Sequence, residues 1–377
     1  MLQSICFSSF AIKSAISAMH STDWLPSINV DASDPYHMGW QIGQRFKGLI
    51  KSRMSKDPFL YSQLLPYAAT HDGQQLVDAL SASNKNLYPR YWSELQGIAD
   101  GSYTSLLEVL LLNFRKEIMP FITCRTKNEV YDAEECSDVA ICSSLAALGH
   151  NEDANVSVQD HISFLVHASL SSEASFTAFT LAGELPSCAF GFNSYGVGFT
   201  LNAVPPLPDE VVAGGIGRNF VSRDLLESTC LEVALQCVQL KNLAVGHSYN
   251  IFDICSRKIV NVETASRGRF SVKEIGATPF FHANMYRHLD ISQVQDESSL
   301  HRHARAADLP KFTKDEILSL LGDTEDELYP IYMQGPVLHT LCTIWVDVDA
   351  RKLTIYSGRP SSIERERSAL VFDLTAQ

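Results

Sequence analysis

No C-x-x-C pair occurs among the 377 residues, and the signatures of zinc ribbons and dithiol redox centres are absent with it. The nine cysteines are odd in number and scattered: Cys6, Cys124, Cys136, Cys142, Cys188, Cys230, Cys237, Cys255 and Cys342. That usage suits free thiols in a reducing compartment, and a cytoplasmic protein is expected. No apolar run reaches the roughly 20 residues of a bilayer-spanning helix, so no membrane partner is expected. Basic residues are scarce, with 30 Lys and Arg against 43 Asp and Glu. The formal net charge of -13 argues against nucleic acid and anionic surfaces as partners. Charged residues make up only 19% of the chain while 45% is hydrophobic, which describes a globular protein with a sizeable core. The run Gly214-Gly215-Ile216-Gly217 lacks a preceding strand and a third spaced glycine, so it is no dinucleotide loop. His301-x-His303 lies in a charged stretch and reads as a solvated face rather than a metal site. No cofactor and no metal are expected.

What is present divides into three parts. Residues 1–33 form a Ser-rich leader without an acid before Asp23, the composition of a transit peptide, although Lys13 is its only Lys or Arg. Residues 34–135 carry helical patterns. Asp34-Pro35 supplies a cap and a first-turn proline ahead of Met38, Ile42, Phe46 and Leu49, and Ser105 with Glu108 forms a capping box. Pro89 opens a further helix that Gly101 is expected to close. Residues 121–135 lose all periodicity and gather charge, as an exposed loop does.

From Cys136 to residue 377 short strand-like runs dominate: SDVAIC, SFTAFTLAG, CAFGFNSYGVGFTLNAV, SYNIFDI, KIVNVETAS and TIWVDVDARKLTIYSG. Hairpin turns are expected near Ser256-Arg257-Lys258 and Asp349-Ala350-Arg351, and one long amphipathic helix near NFVSRDLLESTCLEVALQCVQ. Strand runs with segregated helices imply an α+β layered fold, the second and third parts together making one compact domain. The chemically suggestive point is Cys136, where the charged stretch ends at Glu135 and a strand begins. LGHNEDAN follows, with His150, Asn151 and Asp153.

With YHMGWQIGQRFKG, YWSELQGIADGSYTSLLEVLLLNFRKEIMP, CSDVAI, LGHNEDAN, GFNSYGVGFTLN, NVET, FHANMY and SGRPS in this order, the chain resembles the acyl-CoA:6-aminopenicillanate acyltransferase family from about Tyr36 to Pro360. It is similar above all to the insect branch that hydrolyses N-β-alanyl-dopamine. The resemblance implies a four-layer αββα sandwich and a precursor that cuts itself between Glu135 and Cys136. It also implies association of the two processed chains, and Cys136 as an N-terminal nucleophile. A free α-amine titrates near 7.7–8.0 and can serve as base for its own thiol. Asp153 matches the aspartate of the family's G-x-N-x-D segment, Asn202 and Asn284 match amides placed near the scissile carbonyl, and Asn284 is expected to face the oxyanion. His150 stands where related hydrolases carry Arg; with Asn151 and Arg218 it is a candidate substrate contact, and Arg223 another cation within reach of an acidic substrate. Relatives have Gly before the nucleophile, whereas this chain has Glu135.

Three readings follow. The first is a self-processing hydrolase of a small N-acyl amide. The second is an acyltransferase that passes the acyl group of an amide or thioester to an amine. The third is an uncleaved relative that only binds a metabolite.

Overall fold

The computed structural model describes residues 24–122, 135–158, 162–186, 188–362 and 368–374. The leader upstream of Trp24 and residues 123–134 of the loop expected at 121–135 lie outside them, while Phe121 ends a short 3-10 turn and Glu135 already opens a strand.

The N-terminal part is helical, as patterned: α1 (Pro35–Lys56), α2 (Leu65–Ala68), α3 (His71–Leu87), α4 (Pro89–Ser102), α5 (Leu106–Asn113) and α6 (Arg115–Ile118). The Asp34 side chain caps α1 by accepting from His37 N, and the Ser105–Glu108 capping box opens α5. Gly101 does not close α4. That helix ends at Tyr103 with φ of 56°, and Gly101 instead lies against α1. The two helices cross through Gly39 and Gly43 on α1 and Gly97 and Gly101 on α4. A methyl group at any of the four would run into backbone of the opposing helix. Gly97→Ala should therefore destabilise by about 3 kcal/mol, because backbone cannot yield as a side chain can. Gly48→Ala on the same α1, where an added methyl meets nothing, should instead stabilise by about 0.5–1 kcal/mol through helix propensity. Denaturant midpoints of the two variants will separate packing from propensity, and equal shifts would remove the close crossing as the cause.

The first sheet runs β1 (Ser27–Asp31), β4 (Ser163–Ser169), β5 (Ser175–Leu181), β6 (Phe190–Asn193), β7 (Val197–Asn202), β8 (His247–Asp253), β9 (Lys258–Ala265) and β10 (Arg269–Glu274). The strand β1, within the segment assigned to the leader, pairs parallel with β4 and belongs to the fold. The second sheet runs β11 (Phe280–His282), β2 (Glu135–Cys142), β3 (Ala146–Asn155), β12 (Leu338–Asp347), β13 (Lys352–Tyr356) and β14 (Leu370–Asp373). Both expected hairpin turns are present, with Arg257 and Arg351 at φ of 54°.

The expected long helix is two, α7 (Arg218–Leu225) and α8 (Leu231–Val238). Asn193 donates to the Leu226 and Ser228 carbonyls (3.1 and 2.8 Å) and fixes the break between them. Two further helices, α9 (Glu297–Asp308) and α10 (Lys314–Leu321), precede β12.

Side chains alternate along strands, and here each alternate set enters a different core. Phe164 and Val166 of β4 meet α1, α4 and α5, while Leu165 between them faces the second sheet. Ala140 of β2 and Ile344 of β12 join that inter-sheet core, while Val139, Ile141 and Trp345 pack on α9 and α10. The layers are thus helix, sheet, sheet, helix, the α+β sandwich expected. Strands such as β4 and β5, buried on both faces and mostly apolar, stood out as runs in the sequence for that reason. The core under the first helical layer draws on both sides of the Glu135–Cys136 junction.

Candidate active site

Register and alternation place the functional side chains. The antiparallel pairing of β2 with β3 sets Cys136 opposite Glu152, Asp138 opposite His150, and Glu135 opposite Asp153. Cys136, Asp138, His150 and Glu152 share the parity of Ala140 and Leu148 and face the inter-sheet layer. Glu135, Ser137, Asn151 and Asp153 share the opposite face.

On the inner face the polar groups form a relay. The Cys136 thiol donates to Glu152 Oε2 at 3.3 Å, and the same oxygen lies 3.3 Å from His150 Nε2. His150 Nδ1 sits 3.1 Å from both oxygens of Asp138. Asp138 also accepts from Thr200 (2.6 Å) on the facing sheet, and Asn250 donates to Thr200 (3.2 Å) and to Asn202 Oδ1 (3.4 Å). Asn202 Nδ2 is buried without a hydrogen-bond partner among the described residues.

The electrostatics follow from this burial. Desolvation, reinforced by the carboxylates of Glu152, Asp153 and Asp138, pushes the Cys136 thiol well above its ordinary pKa. For His150, burial opposes charge, but the charge and hydrogen bonds of Asp138, with those of Glu152, outweigh it and raise the imidazole to about 10. The thiol is therefore neutral, and its neighbouring imidazole already holds its proton.

The Cys136 backbone is held as closely as its side chain. Its N–H donates to Asn284 Oδ1 at 3.0 Å, and Arg302 Nη1 donates to its carbonyl at 2.7 Å and to Ser137 Oγ at 2.9 Å. Arg302 Nη2 reaches Asn284 Oδ1 (2.9 Å) and Glu135 Oε2 (2.7 Å), the latter also bonded by Ser298 Oγ (2.6 Å). Asn284 follows β11 in a loop tied down by Glu263, whose carboxylate accepts from His282 Nε2 and from the backbone N–H of Arg287, His288 and Leu289. Burial alone would raise the Glu263 pKa; the His282 hydrogen bond and charge and the His288 backbone bond outweigh it and bring it to about 2.

Beside these groups opens a cleft. Its walls are mainly apolar (Met119, Val204, Pro205, Pro206, Val245), while Glu135, Asn284, Arg218, Lys116 and Asp296 bring polar groups to it. It abuts the junction before Cys136, with Glu135 in its lining, and joins apolar walls to a few polar groups as small-molecule sites do.

Several residues singled out in the sequence take other roles here. Asn284 lies beside Cys136, where its oxygen accepts from the Cys136 nitrogen (3.0 Å) and one of its amide N–H groups donates to Ala203 O (3.0 Å). Asp153 is buried on the outer face, where Oδ1 accepts from Thr340 (2.6 Å) and Oδ2 has no hydrogen-bond partner among the described residues. Burial, offset by Thr340 and Arg302, lifts it to about 7. The carboxylate facing the thiol is Glu152, one residue earlier.

Asn151 is a bracket rather than a substrate contact, donating to Leu321 O and Ile331 O and accepting from Thr343. His150 is sealed in the relay, away from the cavity lining. Arg218 does line the cavity, whereas Arg223 is buried against Glu94 (3.1 Å) and reaches no substrate. His301 pairs with Asp326 at the surface, and His303 packs edge-on to Phe281.

Arg302 was missed because it lies in the stretch assigned to a solvated face. Its signal was the spacing Ser298, Ser299, Arg302, Ala306, one buried stripe on α9 behind the Asp296 cap. Glu152 and Asp138 could have been found by pairing SDVAIC with LGHNEDAN as two strands.

The model of the family described as acyl-coenzyme A:6-aminopenicillanic acid acyl-transferase matches residues 142–362, more than half of the chain. The matched span starts downstream of Cys136 and includes His150, Glu152, Asn202, Asn284 and Arg302. A curated relative, the beta-alanyl-dopamine/carcinine hydrolase of Drosophila melanogaster, is 25% identical over 364 residues, covering 87% of this chain and 92% of its own. Among solved structures, a Caenorhabditis elegans N-acylethanolamine-hydrolyzing acid amidase ortholog overlays with a TM-score of 0.39 at 10% identity, over 63% of this chain and 99% of that one. Penicillin V acylase from Agrobacterium tumefaciens gives 0.35 at 11%, over 59% and 83%.

Proposed function

The chain belongs to the acyl-coenzyme A:6-aminopenicillanic acid acyl-transferase family, and is an amide-bond hydrolase or acyltransferase of the N-terminal-nucleophile class; on that premise we propose that it cuts itself before Cys136 and then hydrolyses a small N-acyl amide through an acyl-Cys136 thioester. Membership of the family sets the purely metabolite-binding reading aside.

The observation that carries the proposal is the hydrogen bond from Cys136 N to Asn284 Oδ1. A side-chain acceptor is aimed at the nitrogen that cleavage would turn into an α-amine, with Glu152 and Asp153 near enough to favour an ammonium there. Within the intact chain the thiol's acceptor is the Glu152 carboxylate, and His150, held protonated by Asp138 and Glu152, is not a free base for it. An α-amine with pKa near 8 supplies one at neutral pH.

Self-cleavage begins with Cys136 Sγ attacking the Glu135 carbonyl carbon. The acyl group passes from nitrogen to sulfur, the amine takes up the proton released, and water hydrolyses the thioester. In turnover the amine accepts the thiol proton as Sγ attacks the substrate carbonyl, and it returns that proton to the departing amine. Water then releases the acid. Arg302 fixes the Cys136 carbonyl and Asn284, and Asn202 Nδ2, without a hydrogen-bond partner among the described residues, is our proposed donor to a developing oxyanion. The hydrolase name of the fly relative supports water, rather than a second amine, as acyl acceptor.

Intact mass and N-terminal sequencing of the purified protein test this. Two associated chains are expected, the larger beginning Cys-Ser-Asp-Val-Ala. A single uncut chain with full activity would refute self-processing.

A further inference from the structure

Among the described residues one cluster carries chemistry that acyl transfer does not use. The Cys136 Sγ, an imidazole nitrogen of His150 and a carboxylate oxygen of Glu152 lie within 4.8 Å of one another, all three residues buried. We propose that this cluster binds a thiophilic divalent cation, zinc being the type, and that the bound ion holds the enzyme inactive.

The donor set and its spacing both fit. A soft thiolate, an imidazole and a carboxylate with a fourth position left over is a recurrent zinc arrangement. With metal–ligand distances of about 2.0–2.3 Å, the edges of a coordination tetrahedron are about 3.3–3.5 Å. The Sγ–Oε2 and Nε2–Oε2 separations are both 3.3 Å. The surroundings fit as well. His150 offers Nε2 to the cluster while Nδ1 faces Asp138, which is itself fixed by Thr200, the carboxylate support that metal-bound histidines usually have. Acidic groups also outnumber basic ones around the thiol, with Asp138, Glu152, Asp153 and Glu135 set against His150 and Arg302.

Binding is a ligand exchange with no change of oxidation state. The ion displaces the thiol proton and the proton on His150 Nε2, and both leave to solvent. Cleavage before Cys136 would add the α-amine as a fourth donor, closing a five-membered chelate with Sγ. The ion then occupies the electron pairs that attack the substrate and accept its proton. The inhibition, though not the binding, rests on the proposed role of Cys136.

The test uses the purified full protein, stripped with a chelator and then given zinc or cobalt(II) salts alone. One zinc per chain is expected at micromolar or lower free concentration. Cobalt(II) should give a thiolate-to-metal charge-transfer band in the near ultraviolet, together with the intense visible bands of four-coordinate cobalt. Cys136→Ala should abolish the charge-transfer band, and Glu152→Gln should weaken binding at least tenfold. Cys142→Ala and Cys255→Ala, thiols outside the site, should change neither. Where the substrate is in hand, zinc should suppress turnover and a chelator restore it. Absence of the thiolate band, or its persistence in Cys136→Ala, would overturn the site. Since the band is read without substrate, its fate is independent of whether the amidase reading holds. Zinc bound at the site with undiminished turnover would overturn the inhibitory role.

Discussion

Cys136→Ala will leave one uncut chain whose turnover is lower by a factor on the order of 10⁴ or more, because the variant loses the atom that both self-cleavage and acyl transfer require. The substitution removes one buried sulfur from a strand and leaves the Asn284 and Arg302 bonds to its backbone in place. The protein should therefore stay folded, with an unchanged circular dichroism spectrum. Cys136→Ser is the informative companion. A hydroxyl can make the same acyl shift slowly, so some cut chain should accumulate over days while turnover stays severely impaired. Electrophoresis and activity measured on the same preparations decide the matter. Substantial turnover in Cys136→Ala would move the nucleophile elsewhere.

Arg302→Met should have the largest effect on stability among single changes at the site. It removes the donors to Cys136 O, Asn284 Oδ1 and Glu135 Oε2 together, and leaves a largely buried carboxylate without its cation. Breaking such a pair from one side costs about 3–5 kcal/mol, here a fall in melting temperature of roughly 5–10 °C. Arg302→Lys keeps the charge but not the planar fork, so it should recover part of the stability and little of the processing rate. Removing both charges, as Arg302→Met with Glu135→Gln, should cost less than the two single changes added together. Melting temperatures close to that of the parent in Arg302→Met would reduce the fork to a passive contact.

The layered fold was legible because buried strands with apolar residues on both faces announce themselves as runs, and because Asp34, Pro35, Ser105 and Glu108 mark helix starts with local chemistry. The site was legible only in part. Cys136 stood at a visible change of pattern, whereas the role of Glu152 depends on which of two adjacent acids shares a face with the thiol. That is a matter of strand register, and register is a long-range property. The N-terminal half of LGHNEDAN lacks the β-branched residues that mark a strand, so β3 gave no signal of its own. Asn284 does lie beside Cys136, but which end of its amide meets the Cys136 nitrogen is set by Arg302, some eighteen residues on and in a stretch whose charges suggested solvent. Tertiary pairing of this kind leaves no periodicity to read.

The core beneath the first sheet is built from residues on both sides of the proposed cut. Before the cut, the helices find their sheet at the effective concentration of a tether, of order millimolar. Afterwards they could find it only at the concentration of two separate molecules, each exposing an apolar face. An enzyme cut there would be a product of its own history: assembled once while covalently continuous, and after unfolding without a comparable route back.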